Sequence, residues 1–278
     1  MDILQYTFFQ NALLGILLIS VVAAIIGTYI VTRRMVFIAG GLTHASFGGL
    51  GIGYFAGISP TLSALIFAIA TALGIEFTSR NKRIREDSAI ALFWAVGMAV
   101  GIIFIFLTPG YTPGLSEFLF GNILTITTTD IILFAIYTLA LLLYVALQYR
   151  PILYTAFDAD FARIKGINTA RINTIMMLFV AVGVVLSIRL IGIMLLMSVF
   201  TLPQIIAELY TSQYKTMMLL AGIVCLIGST AGLFISATIA IPTGACIVVL
   251  LVVLYILAKA IHTLHTRAMR NKGMNIRQ

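Results

Sequence analysis

The stretch MVFIAGGLTHASFGGLGIGYFAGI, Met35 to Ile58, decides the fold. It runs for 24 residues without an aspartate, glutamate, lysine or arginine. As a helix rising roughly 1.5 Å per residue, that is enough to cross a hydrocarbon core of about 30 Å. It is not a plain apolar anchor. Gly40, Gly41, Gly48, Gly49, Gly51, Gly53 and Gly57 strip side chains from it, so neighbouring backbone can approach closely. His44 lies in its middle, the only histidine in any apolar segment. A polar, metal-capable side chain at the centre of a small-residue helix marks a path or a site. The structural alternative is an imidazole satisfied by a neighbouring carbonyl, with the glycines serving packing alone.

The rest of the chain agrees with a membrane setting. Of 278 residues, 61% are hydrophobic and only 9% charged, and the mean hydropathy is +1.12. A soluble domain carries about 25% charged residues, which leaves little room here for an aqueous domain. The apolar runs are continuous rather than alternating over ten residues, so the expected fold is all-α and polytopic, not a barrel. The whole of 1–278 reads as a single transmembrane domain. Cys225 and Cys246 both fall in apolar runs and read as small buried hydrophobes. The first apolar run is too long for a signal peptide and lacks a small-residue cleavage site, so it is expected to stay as a span.

The first span covers about 12–31 and ends at Arg33 and Arg34. The glycine-rich span follows at once as its antiparallel partner, then a turn at Ser59-Pro60 and a third span over 61–77. SRNKRIRED, 79–87, holds four basic residues in nine. By the positive-inside rule this loop and Arg33-Arg34 are cytoplasmic. A fourth span, 90–107, ends at the TPGYTPG turn; LSEFLFGNILTITTTD, 115–130, reads as a half-helix or interfacial segment. A fifth span, 131–147, returns to the cytoplasm. Further spans are expected at 173–188, broken by Arg189, and at 190–207, where Pro203 would introduce a kink. The last two run over 217–236 and 244–257. The basic tail, 262–278, is cytoplasmic, with His262 and His265 solvated. The count is eight or nine spans.

Residues 152–171, ILYTAFDADFARIKGINTAR, are too polar to cross a bilayer. Asp158 and Asp160 come early, Arg163 and Lys165 late, then Gly166, the charge order a helix dipole prefers with a glycine stop. A short cytoplasmic helix over about 155–167 is expected, presenting Phe157 and Phe161 as a docking contact.

No paired intramembrane carboxylate, catalytic trio or G-x-x-x-x-G-K-[ST] loop occurs, so an enzyme is not expected and nucleotide energy would have to come from another chain. No nucleic-acid motif accompanies the net charge of +8. RRMVFIAGGLTHASFGGLGIGYFAGI resembles the second span of permease subunits of ABC importers for zinc, manganese and iron. The resemblance continues through EDSAIALFWAVGMAVGII at 86–103, LSEFLFGNIL at 115–124, FDADFARIKGI at 157–167, RLIGIMLLMSVFTLPQIIAEL at 189–209 and IPTGACIVVLL at 241–251.

The resemblance implies an ATP-driven importer of a divalent metal ion in the bacterial cytoplasmic membrane. It implies a homodimer with the ion pathway at its interface, a cytoplasmic ATP-binding subunit on each copy, and an extracytoplasmic metal-binding protein. Residues 157–167, with Phe157, Asp158, Phe161, Ala162 and Gly166, become its coupling helix. The metal is cargo rather than a permanent cofactor. Relatives usually carry an aspartate one turn before the histidine and another acid two residues before the last external proline. Here these positions are Gly40 and Ala240. His44 is then a lone metal ligand: either the ion binds loosely with water completing its shell, or the cargo is not a bare zinc or manganese ion. Thr43 and Ser46 could add weak oxygen contacts, and Arg189 is a further pathway candidate, with snorkelling to the interface as its alternative. The alternative is a self-contained secondary transporter for a metal ion or chelate, against which the lack of buried acids counts.

Overall fold

The structure, a computed structural model, describes residues 5–80, 84–110 and 126–271. Ten helices account for nearly all of these. They are α1 Thr7–Thr32, α2 Phe37–Ala56, α3 Pro60–Arg80, α4 Glu86–Leu107, α5 Thr128–Phe157, α6 Ala159–Ile164, α7 Thr169–Val199, α8 Leu202–Glu208, α9 Tyr214–Ile239 and α10 Thr243–Asn271. The half-helix expected over 115–130 lies outside the described residues up to 125, as does the tail beyond 271.

Local chemistry sets the boundaries. Gly57, at φ 66°, closes α2 in the left-handed conformation that only glycine adopts without cost. Pro60 starts α3, where its missing N–H is not needed. Thr127 and Asp130 form a reciprocal cap at the head of α5, each side chain accepting the other's backbone N–H at 3.2 Å. The same helix bends at Gln148, three residues before Pro151, whose ring obstructs the preceding turn.

Among the described residues seven stretches are long and apolar enough to cross a membrane, the longest being Thr169–Glu208. That one is folded on itself. Thr169 and Glu208 both line cavities shared with Arg33, whereas Arg189 between them pairs with Asp130 and Thr61 at the opposite end of the bundle. The chain therefore crosses outward to Arg189 and returns. It reverses at Gly192, whose φ 72° and ψ 173° belong to a region that is essentially glycine-only. The break expected at Arg189 thus falls three residues later, because backbone freedom and not charge sets it. Pro203 does not kink a span either; it occupies the first turn of α8, after a break at Thr201.

The glycine-rich α2 is too poor in side-chain carbon to count among the seven, yet its 20 residues rise about 30 Å between α3 and α4. With α2 counted and the α7–α8 hairpin counted as two, the described helices make nine crossings. Every described lysine and arginine except Arg189 lies on the side of Arg33, which makes that face cytoplasmic. The protein is a multi-pass membrane protein.

α1 and the α7–α8 hairpin form the buried centre, while α4 and α10 expose most of their length to lipid. α1 carries one π-helical turn, Ala23–Gly27. Against it the fully buried Gln204 of α8 donates from Nε2 to the Ala23 carbonyl at 2.6 Å.

Candidate functional site

Helix α2 is held by backbone. A Cβ placed on Gly49 would lie 2.7 Å from Ala64 Cα, one on Gly53 2.8 Å from Pro60 Cα, and one on Gly51 2.9 Å from Gly101 Cα. The glycines thus seat α2 against α3 and α4 at distances no side chain permits.

This close approach brings α4 alongside His44. The His44 imidazole is half-buried and stacks on Trp94, with ring centroids 4.4 Å apart and planes 10° from parallel. Among the described residues nothing hydrogen-bonds either ring nitrogen. One turn earlier, a Cβ on Gly40 would lie 2.7 Å from Met197 Cε, 3.2 Å from its Sδ and 3.4 Å from Trp94. His44, Trp94 and Met197 therefore converge on one strip of α2.

Thr43 and Ser46 do not join them. At about 100° of rotation per residue they lie roughly 100° and 160° around the helix from His44. Both are buried, and their hydroxyls donate to the backbone of their own helix, Thr43 to Ala39 O and Ser46 to Thr43 O, each at 2.6 Å. Arg189 lies at the outer end of the bundle. Its guanidinium sits 3.2 Å from Asp130 Oδ1 and donates to Thr61 Oγ1 at 3.2 Å, tying α7 to the starts of α5 and α3. Among the described residues no three histidine, cysteine, aspartate or glutamate side chains cluster around a possible ion.

The short cytoplasmic helix is present but tighter than expected, Ala159–Ile164 instead of about 155–167. Asp158 is extended and caps it, accepting from Asp160 N at 3.0 Å and Phe161 N at 2.9 Å, a loss of roughly 1 kcal/mol if removed. Phe157 consequently ends α5 and is not on the same helix as Phe161. Gly166, at φ 78°, stops the segment, and Ala162 is its one buried contact inward. Arg163 bridges to Asp160 at 2.9 Å and to Thr169 at 3.2 Å, fastening α6 to the foot of α7. Phe157, Phe161 and Ile164 stay exposed, Ile164 at 84%.

Sequence reasoning missed Trp94, Met197, Ile164 and the Asp130 partner of Arg189. Trp94 carried a signal, being the only tryptophan in the chain. Met197 carried none, since its nearness to α2 depends on the reversal at Gly192.

A helical transmembrane bundle with a capped cytoplasmic helix and a histidine inside a glycine-packed span has the form of a transport permease. The profile of the ABC 3 transport family matches residues 5–262, and the chain belongs to that family. It is 32% identical to the manganese transport system membrane protein MntC of Halalkalibacterium halodurans over 99% of this chain and 96% of that one. It is 26% identical to a Haemophilus influenzae protein described as a probable iron transport system membrane protein, over 95% and 97%. In three dimensions it is similar to PsaBC from Streptococcus pneumoniae, solved in complex with a Fab. The TM-score is 0.80 at 26% identity, covering 92% of each chain.

Proposed function

We propose that this chain is the membrane permease of an ATP-driven importer of a transition metal ion, that two copies assemble around one pathway, and that the ion passes His44. The carrying observation is His44 itself: a half-buried imidazole in the middle of a membrane helix, stacked on Trp94 and not hydrogen-bonded by any described residue. A polar group left so inside a bilayer is costly unless it serves passage. A neutral imidazole suits zinc, iron, nickel and copper, and a passing ion needs contacts weak enough to release it. Relatives named for manganese and iron transport support the same class of cargo.

ATP hydrolysis belongs to a separate cytoplasmic subunit, since no phosphate-binding loop occurs here. The exposed apolar residues of α6 and the end of α5 are its docking surface, with Asp158 and Gly166 shaping the helix and Ala162 seating it. An extracytoplasmic metal-binding protein delivers the ion to the face of Arg189. A self-contained secondary transporter has less support, because every described acid sits near one end of the bundle and Asp130 is already paired with Arg189.

Metal-resolved uptake in a strain lacking and then regaining the protein tests the reading. His44→Ala should abolish or sharply reduce uptake at unchanged levels of folded permease. His44→Gln, an amide and a poor ligand for soft metals, should behave the same. Normal transport by His44→Gln alone would make the histidine a structural hydrogen-bonder; normal transport by both variants would remove it from the pathway.

A further inference from the structure

Among the described residues, the metal-capable side chain placed beside His44 is uncharged, and its donor is sulfur. Gly40 leaves an opening one turn before the imidazole, and the Met197 side chain of the returning limb of α7 fills it. Its Sδ lies 3.2 Å and its Cε 2.7 Å from the point where a Cβ would stand. Trp94 touches the same point at 3.4 Å and stacks on the His44 ring at 4.4 Å. Residues four apart on a helix place their Cβ atoms about 5–6 Å from each other, so thioether and imidazole flank one strip of α2. Methionine has three rotatable bonds and a polarisable sulfur, which lets Met197 swing to meet an ion held by His44. Met197 is only part-buried, so the movement displaces no packed core.

We propose that Met197 is a second, thioether contact for the ion at His44, and that the imidazole–thioether pair selects a soft or borderline ion over manganese. The inference rests on the reading of His44 as the point of passage. Thioether and imidazole nitrogen suit softer ions, whereas manganese favours carboxylate, carbonyl and water oxygen. Among the described residues no carboxylate reaches this strip: Glu76 and Glu86 line the cytoplasmic cavity, and Asp130 is engaged at the outer face. The hydroxyls of Thr43 and Ser46 are turned to their own backbone. Gly40 and Met197 thus act as a pair, the missing side chain of one making room for the sulfur of the other.

Equilibrium dialysis of the full-length permease in lipid nanodiscs against Cd(II), Zn(II) and Mn(II) tests this. Cd(II) has the same charge as Mn(II) and differs chiefly in softness. Trp94, the sole tryptophan and the ring stacked on His44, provides a second readout through its emission. Cd(II) should bind at least tenfold more tightly than Mn(II) and perturb Trp94. Met197→Leu, close in volume but without sulfur, should weaken Cd(II) at least tenfold more than it weakens Mn(II). Gly40→Asp combined with Met197→Leu, which adds a carboxylate where the sulfur was, should reverse the preference. Tighter binding of Mn(II) than Cd(II) by the unaltered protein, or an unchanged Cd(II) affinity in Met197→Leu, would overturn the proposal. If His44→Ala also retains full Cd(II) affinity, the assignment of His44 fails with it; if His44→Ala loses the ion while Met197→Leu does not, only the role of Met197 is lost.

Discussion

Replacing Gly49 with alanine adds one methyl group where the structure has no room for it. The new Cβ would stand 2.7 Å from Ala64 Cα, against about 3.5–4.0 Å for a comfortable carbon contact. Neither atom lies on a side chain that can turn away, so α2 and α3 must part by about 1 Å. Overpacking of this kind costs roughly 1–3 kcal/mol, offset by up to about 1 kcal/mol because alanine is the better helix former. At the middle of these ranges the net loss is about 1–2 kcal/mol.

Gly40→Ala is the matched comparison. Its Cβ meets Met197 Cε at the same 2.7 Å, but that atom ends a flexible chain and gives way, so the helix-propensity gain leaves the variant near neutral. Heating both purified variants in detergent and following the folded peak by size exclusion orders them. Gly49→Ala should lose the peak several degrees below the parent, Gly40→Ala within a degree or two of it. Equal losses in the two variants, or an unchanged Gly49→Ala, would refute the claim that backbone contact through glycine holds this bundle together.

Other outcomes follow from sidedness and docking. Both native cysteines are buried, so in intact cells a membrane-impermeant thiol reagent should label Ser59→Cys at the outer turn and spare Ser212→Cys; the opposite pattern would invert the topology. If α6 docks the ATP-binding subunit proposed above, Ile164→Asp or Phe161→Asp should leave insertion unchanged and abolish co-purification with it, since an unpaired charge in an apolar contact costs about 3–5 kcal/mol. Undiminished co-purification and transport would reduce α6 to a connecting loop.

Much of this architecture was legible because a bilayer simplifies the code. A run such as Met35–Ile58 without a charge has few options other than a span, and the clustered arginines around it fix direction. The capping order Asp158 to Gly166 made the cytoplasmic helix readable, but its start was set two to four residues too early because the extended backbone of Asp158 leaves no trace in hydropathy. The reversal at Gly192 was hidden for a related reason. Apolar residues continue on both sides of it, and Arg189 drew the expected break to itself, whereas its charge is absorbed by Asp130 from another helix. His44 could be picked out from its own neighbours in sequence. Its spatial neighbours could not, since Trp94 and Met197 reach it through helix packing alone.

The reversal at Gly192 also bears on how the chain is assembled during synthesis. The returning limb, 193–208, has 16 residues and spans about 24 Å, short of a hydrocarbon core of about 30 Å. It is broken at Thr201 and carries the buried amide of Gln204. In lipid, exposed backbone groups and a bare amide each cost several kcal/mol, so this limb does not enter on its own. It enters folded against α7, and its amide nitrogen finds its acceptor in the Ala23 carbonyl, 181 residues earlier in the chain. At about 5–20 residues per second of translation, the ribosome delivers Gln204 roughly 10–35 s after Ala23. For that interval the π-helical turn of α1 lacks the side chain that packs against it in the folded protein.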